Sequence, residues 1–374
     1  MSRLKSLCIL SAVNISFLIV LYGAYCTYRS LILYNHIKSP ARGLIGQVYR
    51  ADPALGFAPI PGSQGAHVLP PRPDIPIQYD KAGFRVPHDY AIPDAHKRPR
   101  PLVLALGCSY TYGDACKAED AFVWRVAQLL NGSSINAGGC GYALSHMVLL
   151  ARDLIPRYRP DYVLIQYSPW LIQRGRSCFA PSFFGRVTNP FFTATVSGMA
   201  VHPPVFMPVV FNLPVDRYKK SPKTFSDFAS FLVRVGLPLH AYEDFMMLAY
   251  HVNKRIGRIP MPARDTSAII KNAYGEILQI AHDAGAQALI VVLGDGIAPL
   301  PIPEEIKALG IPVVDAYAEL MSRLTEPTTE YYGRAYVHWN DSDPPEVIDA
   351  HPNPPAHQII ADSIVAAIQS RQKK

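Results

Sequence analysis

Residues 102–113 read LVLALGCSYTYG, a short and wholly apolar run followed by a glycine, a cysteine and a serine. An apolar run of this length, between Pro101 and Gly107, is typical of a parallel β-strand that is buried on both faces. In such sheets ligands bind beyond the carboxyl ends of the strands, so Ser109 occupies a favourable place for a functional residue. The segment therefore predicts a fold class and a candidate site together.

Strand and helix patterns alternate outward from this segment. Further strands are predicted at residues 162–167, 288–293 and 311–314. Helices are predicted at residues 119–131, 143–157, 267–284, 303–309 and 316–324, and from Pro354 onward. Such alternation predicts an α/β fold, in which helices cover both faces of a mainly parallel sheet in a three-layer, flavodoxin-like sandwich.

The composition excludes several classes of protein. Hydrophobic residues make up 49% of the 374 residues, which excludes a largely disordered chain. Charged residues make up only 17%, against about 25% in typical soluble domains. The basic residues behind the net charge of +7 are scattered and accompany no nucleic-acid-binding motif. No nucleic-acid partner is therefore expected.

Residues 6–28 form a mostly apolar run that is long enough to cross the hydrocarbon core of a membrane as a helix. Arg3 and Lys5 precede this run, and it contains no clean signal-peptidase site. We therefore expect residues 1–28 to be an uncleaved signal-anchor. The protein would then be single-pass, with the rest of the chain on the extracytoplasmic (periplasmic or extracellular) side. The alternative is a buried hairpin helix in a soluble protein.

Proline is enriched, with 35 residues that concentrate in positions 52–101 and 181–262. These stretches predict two attachments to the α/β core. Residues 29–100 are expected to form a juxtamembrane connection and a small β-rich attachment. Residues 101–374 are expected to form the α/β domain, with an insertion at 174–265. The insertion is either a lid or groove for a substrate or an elaboration without that role, and its apolar helical faces pack on the core, a membrane or a partner.

The segment Asp349-Ala350-His351-Pro352-Asn353, just before the last predicted helix, is a second candidate for chemistry. A serine hydroxyl is a poor nucleophile unless a base accepts its proton, and a histidine base needs a carboxylate that fixes its tautomer. Asp349 and His351 supply such a pair locally for Ser109. The alternatives are an ordinary turn serine and a surface histidine beside a capped helix.

Taken together, these segments resemble the SGNH, or GDSL-type, hydrolase family. Gly107-Cys108-Ser109 is similar to the first block of that family, Asn136–Gly141 to the second and Asp349–His351 to the last. The resemblance covers roughly residues 101–171 and 266–371. It implies an SGNH-hydrolase fold and a triad of Ser109, His351 and Asp349, with the N–H groups of Ser109 and Gly141 in the oxyanion hole. The implied activity is a serine esterase or acyl transferase that acts on acyl esters of a glycan or lipid, with acetyl esters as one option.

Three features depart from the family pattern, one of which is that the spacing from Asp349 to His351 is one residue shorter than the commonest form. Cys108 stands where the first block usually has an aspartate, and no asparagine follows the strand at 162–167 to complete the oxyanion hole. Gln166, Ser168 and Trp170 are possible substitutes for this donor. The missing asparagine motivates an alternative function, a catalytically weak or inactive SGNH-like module that binds glycan or scaffolds an envelope complex.

Other chemistries find weaker support in the sequence. Cys108 is a rival nucleophile, but its side chain is expected to point away from that of Ser109. Gly294-Asp295-Gly296 has Pro299 in place of the third glycine of a dinucleotide-binding motif, so no cofactor is expected. No metal is expected either, because the acidic residues Asp341, Asp343 and Glu346 lack ligand spacing. Protein partners and oligomeric state stay open, as does the choice between free thiols and disulfides among Cys108, Cys116, Cys140 and Cys178.

Overall fold

The computed structural model describes residues 2–38, 43–90, 98–180, 187–195, 198–296, 300–340 and 342–372. Helix α1 covers Ser2–Lys38 and is therefore longer than the predicted membrane segment. Its last turns continue because Leu33, Tyr34 and Ile37 pack into a small apolar cluster with later helices. Earlier along the helix, the most apolar window is not buried against the protein. By length and composition α1 is able to cross a membrane.

A small antiparallel β-structure follows α1. Its strands are β1 (Gly43–Ile45), β2 (Tyr49–Asp52), β3 (Gly56–Pro59), β4 (Gln64–Val68), β5 (Ile75–Tyr79) and β6 (Arg85–Val86). One sheet has the order β1-β4-β5-β6, and β2 and β3 form a separate hairpin. This structure packs against the α/β core through Arg85, whose guanidinium donates to backbone carbonyls of the loop after Ser109.

The first half of the core contains three of its strands. Its elements are β7 (Leu102–Leu106), α2 (Ser109–Tyr112), α3 (Phe122–Leu129), β8 (Ser133–Asn136), α4 (Leu144–Tyr158), β9 (Tyr162–Tyr167) and α5 (Pro169–Gly175). The strands at 102–106 and 162–167 have the predicted bounds. A 3₁₀ turn at Ala118–Asp120 replaces the start of the helix predicted at 119–131.

In its described residues, the insertion forms two antiparallel strand pairs and three α-helices, with a 3₁₀ turn at Val209–Asn212. They are β10 (Phe179–Ala180), β11 (Val187–Thr188), β12 (Phe191–Thr195), β13 (Gly198–His202), α6 (Asp216–Lys219), α7 (Phe225–Phe231) and α8 (Leu237–Arg255). A π-helical turn at Leu232–Gly236 joins α7 to α8 and packs on α1. Gly236 permits this approach, since a Cβ there would lie 2.2 Å from the Ser30 hydroxyl oxygen.

The second half completes the core. Its elements are α9 (Thr266–Asp283), β14 (Gln287–Val292), α10 (Glu304–Lys307), β15 (Val313–Val314), α11 (Ala316–Ser322), α12 (Thr329–Tyr336), β16 (His338–Trp339), β17 (Val347–Asp349) and α13 (Pro354–Gln372). Helix α12 was not predicted, although Thr328 caps its first turn through the amide of Tyr331.

The central sheet has the order β15-β14-β9-β7-β8, with every neighbouring pair parallel. This is the 2-1-3-4-5 order of flavodoxin-like folds. Helices α3 and α13 pack together, and α4 packs with α9; right-handed crossovers place these two pairs on opposite faces. The predicted three-layer α/β sandwich is confirmed. Its ligand-binding edge lies beyond β7 and β9, where the strand order reverses.

Candidate active site

Ser109 is the first residue of the single-turn helix α2, directly beyond the carboxyl end of β7. Gly107 allows the tight exit from the strand. A Cβ at Gly107 would lie 2.1 Å from the Thr111 hydroxyl oxygen and 2.4 Å from Gln166 Oε1. The Ser109 side chain is therefore held at the edge of the sheet, where it lines a cavity.

The structure brings His351 and Asp349 to this serine. His351 Nε2 lies 2.9 Å from Ser109 Oγ, and His351 Nδ1 lies 2.6 Å from Asp349 Oδ1. The backbone N–H of His351 donates to the same carboxylate oxygen at 2.8 Å. Asp349 is only 1% exposed. With Nδ1 donating to the carboxylate, Nε2 is the nitrogen that accepts from the serine hydroxyl.

Asn353 fixes the conformation of the loop at residues 349–353, which carries Asp349 and His351. Its Oδ1 accepts from the Ala356 amide at 3.1 Å and caps the start of α13. Its Nδ2 donates to the carbonyls of Ala335 and Val337, at 2.9 and 3.1 Å. The residue thus ties the loop to the end of α12 as well as to the helix that follows. The capped-helix interpretation and the base interpretation are compatible, because Asn353 serves the first and His351 the second.

A second carboxylate, Asp114, lies beside the histidine and was missed in the sequence. Its Oδ2 is 3.9 Å from His351 Nε2, and its Oδ1 is 3.1 Å from His67 Nδ1. Burial alone would raise the pKa of Asp114, but the hydrogen bond from His67 and the nearby charges of His351 and Arg85 hold it well below its usual value. His67 comes from β4 of the small β-structure, so no local pattern could have revealed this pair.

The backbone amides of Ser109 and Gly141 are the candidate oxyanion donors. Across the described ranges, neither amide donates a hydrogen bond to another protein group. Gly141 has a φ of 80°, a left-handed conformation that favours glycine. It follows β8, whereas Ser109 follows the neighbouring strand β7, and both residues line the same cavity. Backbone N–H groups without a protein partner at the edge of a cavity are the kind of donor that a developing oxyanion requires.

The three suggested substitutes for the missing asparagine use their donors elsewhere. Gln166 is 1% exposed, and its Nε2 donates to Cys108 Sγ and Ser168 Oγ at 3.3 and 2.9 Å. The Ser168 hydroxyl donates to the Leu293 carbonyl at 2.6 Å. The Trp170 indole N–H donates to Cys108 Sγ at 3.4 Å. In the structure, these donors thus have partners within the protein, next to the residue that precedes Ser109.

Cys108 receives those two donors and is fully buried. Its sulfur thus occupies an internal hydrogen-bonding position, while Ser109 lines the cavity; the two side chains still lie close together, with Ser109 Oγ 3.9 Å from Cys108 Sγ. All six cysteines are free thiols in the structure, which answers the question that the sequence left open. Burial raises the pKa of the Cys116 thiol to about 12 and that of Cys140 well above its usual value. These thiols are therefore protonated at neutral pH.

The glycine-rich segment at 294–296 and the acidic residues at 341–346 were the other candidates for binding sites. The carbonyl of Gly294 accepts from the Tyr332 hydroxyl at 3.1 Å, inside the core; Pro299 lies outside the described residues. Asp343 and Glu346 are exposed, and Asp341 also lies outside the described residues. Over the part of the chain that the structure describes, no group of three or more His, Cys, Asp or Glu side chains has a geometry able to hold a metal ion.

A cavity of about 710 Å³ opens at the triad. Ser109, His351, Asp114 and Gly141 line one part of it, and residues of the small β-structure, the insertion and the end of α1 line most of the rest. The insertion contributes Arg174 and residues in the range 187–220. The insertion therefore lies beside the candidate site, as a substrate groove or lid would require.

Comparisons with known proteins find likeness in structure only. No family model and no curated protein matches the chain. An acetylxylan esterase from Geobacillus stearothermophilus is 12% identical, with a TM-score of 0.35 over 72% of this chain and 95% of that one. A GDSL-like lipase from Bacteroides thetaiotaomicron is 10% identical, with a TM-score of 0.32 over 72% and 89%. The esterase EstA from Pseudoalteromonas sp. is 12% identical, with a TM-score of 0.32 over 73% and 100%.

These solved structures are GDSL-type hydrolases and esterases, the group that the sequence resembles. The likeness is distant, and it assigns neither a substrate nor a catalytic residue to this chain. Those assignments depend on the geometry of the site.

Proposed function

We propose that the protein is a membrane-anchored serine esterase or acyl transferase that acts on acyl esters of a lipid or glycan. The observation that carries the proposal is the continuous hydrogen-bonded line from Ser109 Oγ through His351 to Asp349, with distances of 2.9 and 2.6 Å. A serine, a histidine and a buried carboxylate in this order activate the serine as a nucleophile.

In the first half of the reaction, Ser109 Oγ attacks the acyl carbon while its proton passes to His351 Nε2. The oxyanion accepts from the amides of Ser109 and Gly141, and Asp349 stabilises the imidazolium. The ester C–O bond then breaks, and the alcohol leaves with the proton from Nε2. This leaves an acyl group on Ser109 and a neutral histidine.

In the second half, an acceptor hydroxyl gives its proton to His351 Nε2 and attacks the acyl-serine. The bond between the acyl carbon and Ser109 Oγ breaks, and Oγ recovers the proton. Water as the acceptor makes the enzyme an esterase, and an alcohol or sugar hydroxyl makes it a transferase. Analysis of products formed with and without an added polyol distinguishes the two.

Helix α1 is the proposed single-pass anchor, with the α/β domain on the extracytoplasmic side. Its support is an apolar segment of membrane-spanning length, with a mean hydropathy of 1.9, that the protein does not bury. Retention in the membrane pellet after carbonate extraction is the expected behaviour. Release into the supernatant would contradict anchoring.

The first prediction concerns Ser109. We expect Ser109→Ala to abolish labelling by a fluorophosphonate and to lower ester turnover by at least about 10³-fold, since the nucleophile is lost. The measurement is labelling and turnover across several ester classes in the full-length protein. Ser322→Ala, on the exposed surface of α11, is the matched control and should label like the wild type.

Cys108→Ala separates the serine from the rival thiol, and it should retain serine-dependent labelling. An absence of serine-dependent labelling and turnover would reject the enzyme proposal. That result would instead favour the alternative, an inactive SGNH-like module that binds glycan or scaffolds an envelope complex.

A further inference from the structure

The cavity at the triad is also lined by the end of the anchor helix. Ser109 and His351 line it together with His36, Ile37 and Lys38, the last residues of α1. Its volume of about 710 Å³ lies in the range of small-molecule sites, roughly 300–1,000 Å³. The cavity therefore has room for more than an acetyl ester, and it connects the candidate nucleophile with the segment that leaves the membrane.

The lining between these two groups of residues is mainly apolar. The apolar side chains come from the small β-structure and from the insertion, for example Leu44, Val48, Phe57, Phe211 and Leu213. Phe57 and Phe211 stack with their ring centroids 5.3 Å apart. An apolar wall of this kind favours hydrocarbon, because burying hydrocarbon removes it from water. A sugar would leave its hydroxyl groups without partners along most of this wall.

The position of the membrane surface follows from α1 itself. Tyr22, Tyr25 and Tyr28 are 43%, 54% and 63% exposed, and exposed tyrosines on a spanning helix mark the interface with water. At a rise of about 1.5 Å per residue, Ile37 lies about 14 Å along the helix from Tyr28. The end of the cavity is thus close to the headgroup region and within reach of a lipid chain.

Helix α8 strengthens this placement. It runs antiparallel to α1, because Gly236 contacts Ser30 while Asp244 accepts from the Tyr22 hydroxyl at 3.0 Å. Beyond Asp244, the helix continues toward the membrane. This second half exposes a stripe of apolar side chains, Phe245, Leu248, Val252 and Ile256. The stripe therefore begins near Tyr22 and continues on the membrane side of it, and an exposed apolar face of this kind is suited to contact with lipid.

We propose that the cavity binds the hydrocarbon chain of an amphiphilic ester drawn from the membrane that α1 crosses, and that the last turn of α1 forms part of the chain's binding site. This inference rests on the proposed function, since it takes Ser109 as nucleophile and α1 as anchor. It narrows the substrate class from acyl esters in general to esters with a long chain in either the acyl or the alcohol part.

Two substrate series test the proposal with the full-length protein. One series is p-nitrophenyl esters from acetyl to dodecanoyl, and the other is acetates of alcohols from ethanol to dodecanol. We expect kcat/KM to rise by at least about tenfold with chain length in one series, since each added methylene finds an apolar wall. The series that rises identifies which part of the ester lies in the cavity.

Leu213→Trp narrows the cavity, and Leu213→Glu places a charge on its apolar wall without added bulk. Both variants should lower the ratio of long-chain to short-chain kcat/KM toward one. The matched control is Val233→Trp, which adds the same side chain at an exposed position that does not line the cavity. An unchanged ratio in both folded Leu213 variants would overturn the proposal.

Delivery from the membrane has its own test. A long-chain ester that does not exchange between vesicles should be turned over when it shares phosphatidylcholine vesicles with the protein. It should persist when the protein is in separate vesicles. Ser109-dependent turnover without chain preference in either series would overturn this inference and leave the esterase proposal standing. Absence of any Ser109-dependent turnover would overturn both.

Discussion

Asp114 places a second negative charge beside His351, the proposed base. Its carboxylate lies 3.9 Å from His351 Nε2, and its lowered pKa keeps it ionised throughout the working range. A carboxylate anion this close to a histidine favours the imidazolium form over the neutral form. We expect Asp114→Asn to move the acid limb of the kcat/KM profile to lower pH and to lower kcat. The measurement is a pH–rate profile from about pH 5 to 9.

His88 and Asp89 form a matched control for that experiment. They make a comparable contact, 2.8 Å from Nδ1 to the carboxylate, on the exposed surface. Asp89→Asn should therefore leave both the acid limb and kcat at their wild-type values. If Asp114→Asn behaved like Asp89→Asn, the carboxylate would have no electrostatic role at the site.

Among contacts between elements, Arg85 joins the small β-structure to the serine loop, the segment 109–116 that begins with Ser109. From β6 its buried guanidinium donates to the carbonyls of Tyr112, Gly113 and Cys116. Lysine carries the same charge but lacks the planar fork that serves several carbonyls at once. We expect Arg85→Lys to lower the free energy of unfolding by about 3 kcal/mol. It should also lower kcat by about tenfold, because the serine loop loses its support.

Urea unfolding and turnover measure these two effects. Arg100→Lys is the control, because the Arg100 side chain is 53% exposed and its ion pair with Asp161 lies on the surface. An Arg85→Lys protein with wild-type stability and kcat would show that the small β-structure does not position the serine loop.

Two buried histidines make the stability of the whole molecule depend on pH. Burial lowers the pKa of His146 and of His357 from 6.5 to about 3. Between about pH 3 and pH 6.5, the unfolded chain therefore binds protons on these histidines that the folded chain does not bind. The free energy of unfolding falls as the pH drops below about 6.5. Each histidine should lower the free energy of unfolding by about 1.4 kcal/mol for each pH unit below about 6.5. Urea unfolding at pH 7 and pH 5 measures the loss.

His357→Gln removes one of these groups and should make the difference between the two pH values smaller. Its Nδ1 accepts from the Phe122 amide, and the glutamine carbonyl is able to take over that role. His282→Gln, whose side chain is 85% exposed in the wild type, should leave the difference unchanged. Equal pH dependence in the wild type and His357→Gln would contradict the assignment.

The fold was largely predictable because its signals are local. The apolar strand at 102–106 and the strand at 162–167 are continuous runs that only a buried sheet accommodates, and both have their predicted bounds. Helix α12 was missed because its sequence, TEYYGRAY, contains a glycine and few aliphatic residues. Tertiary packing of Tyr332 and Tyr336 stabilises it instead.

The candidate site likewise has a part that local sequence patterns predicted and a part that they did not. Asp349 and His351 are close in the chain, so their pairing was readable as a motif, and Ser109 was readable as a strand-end serine. The sequence by itself thus determined the α/β core, the apolar N-terminal segment and the candidate triad. Only the tertiary structure decided that Asp114, paired with His67, lies beside His351, that Gln166 and Trp170 donate to Cys108, and that α1 lines the cavity. The reason is that these contacts join elements far apart in the chain, where no local period records which side chains will meet.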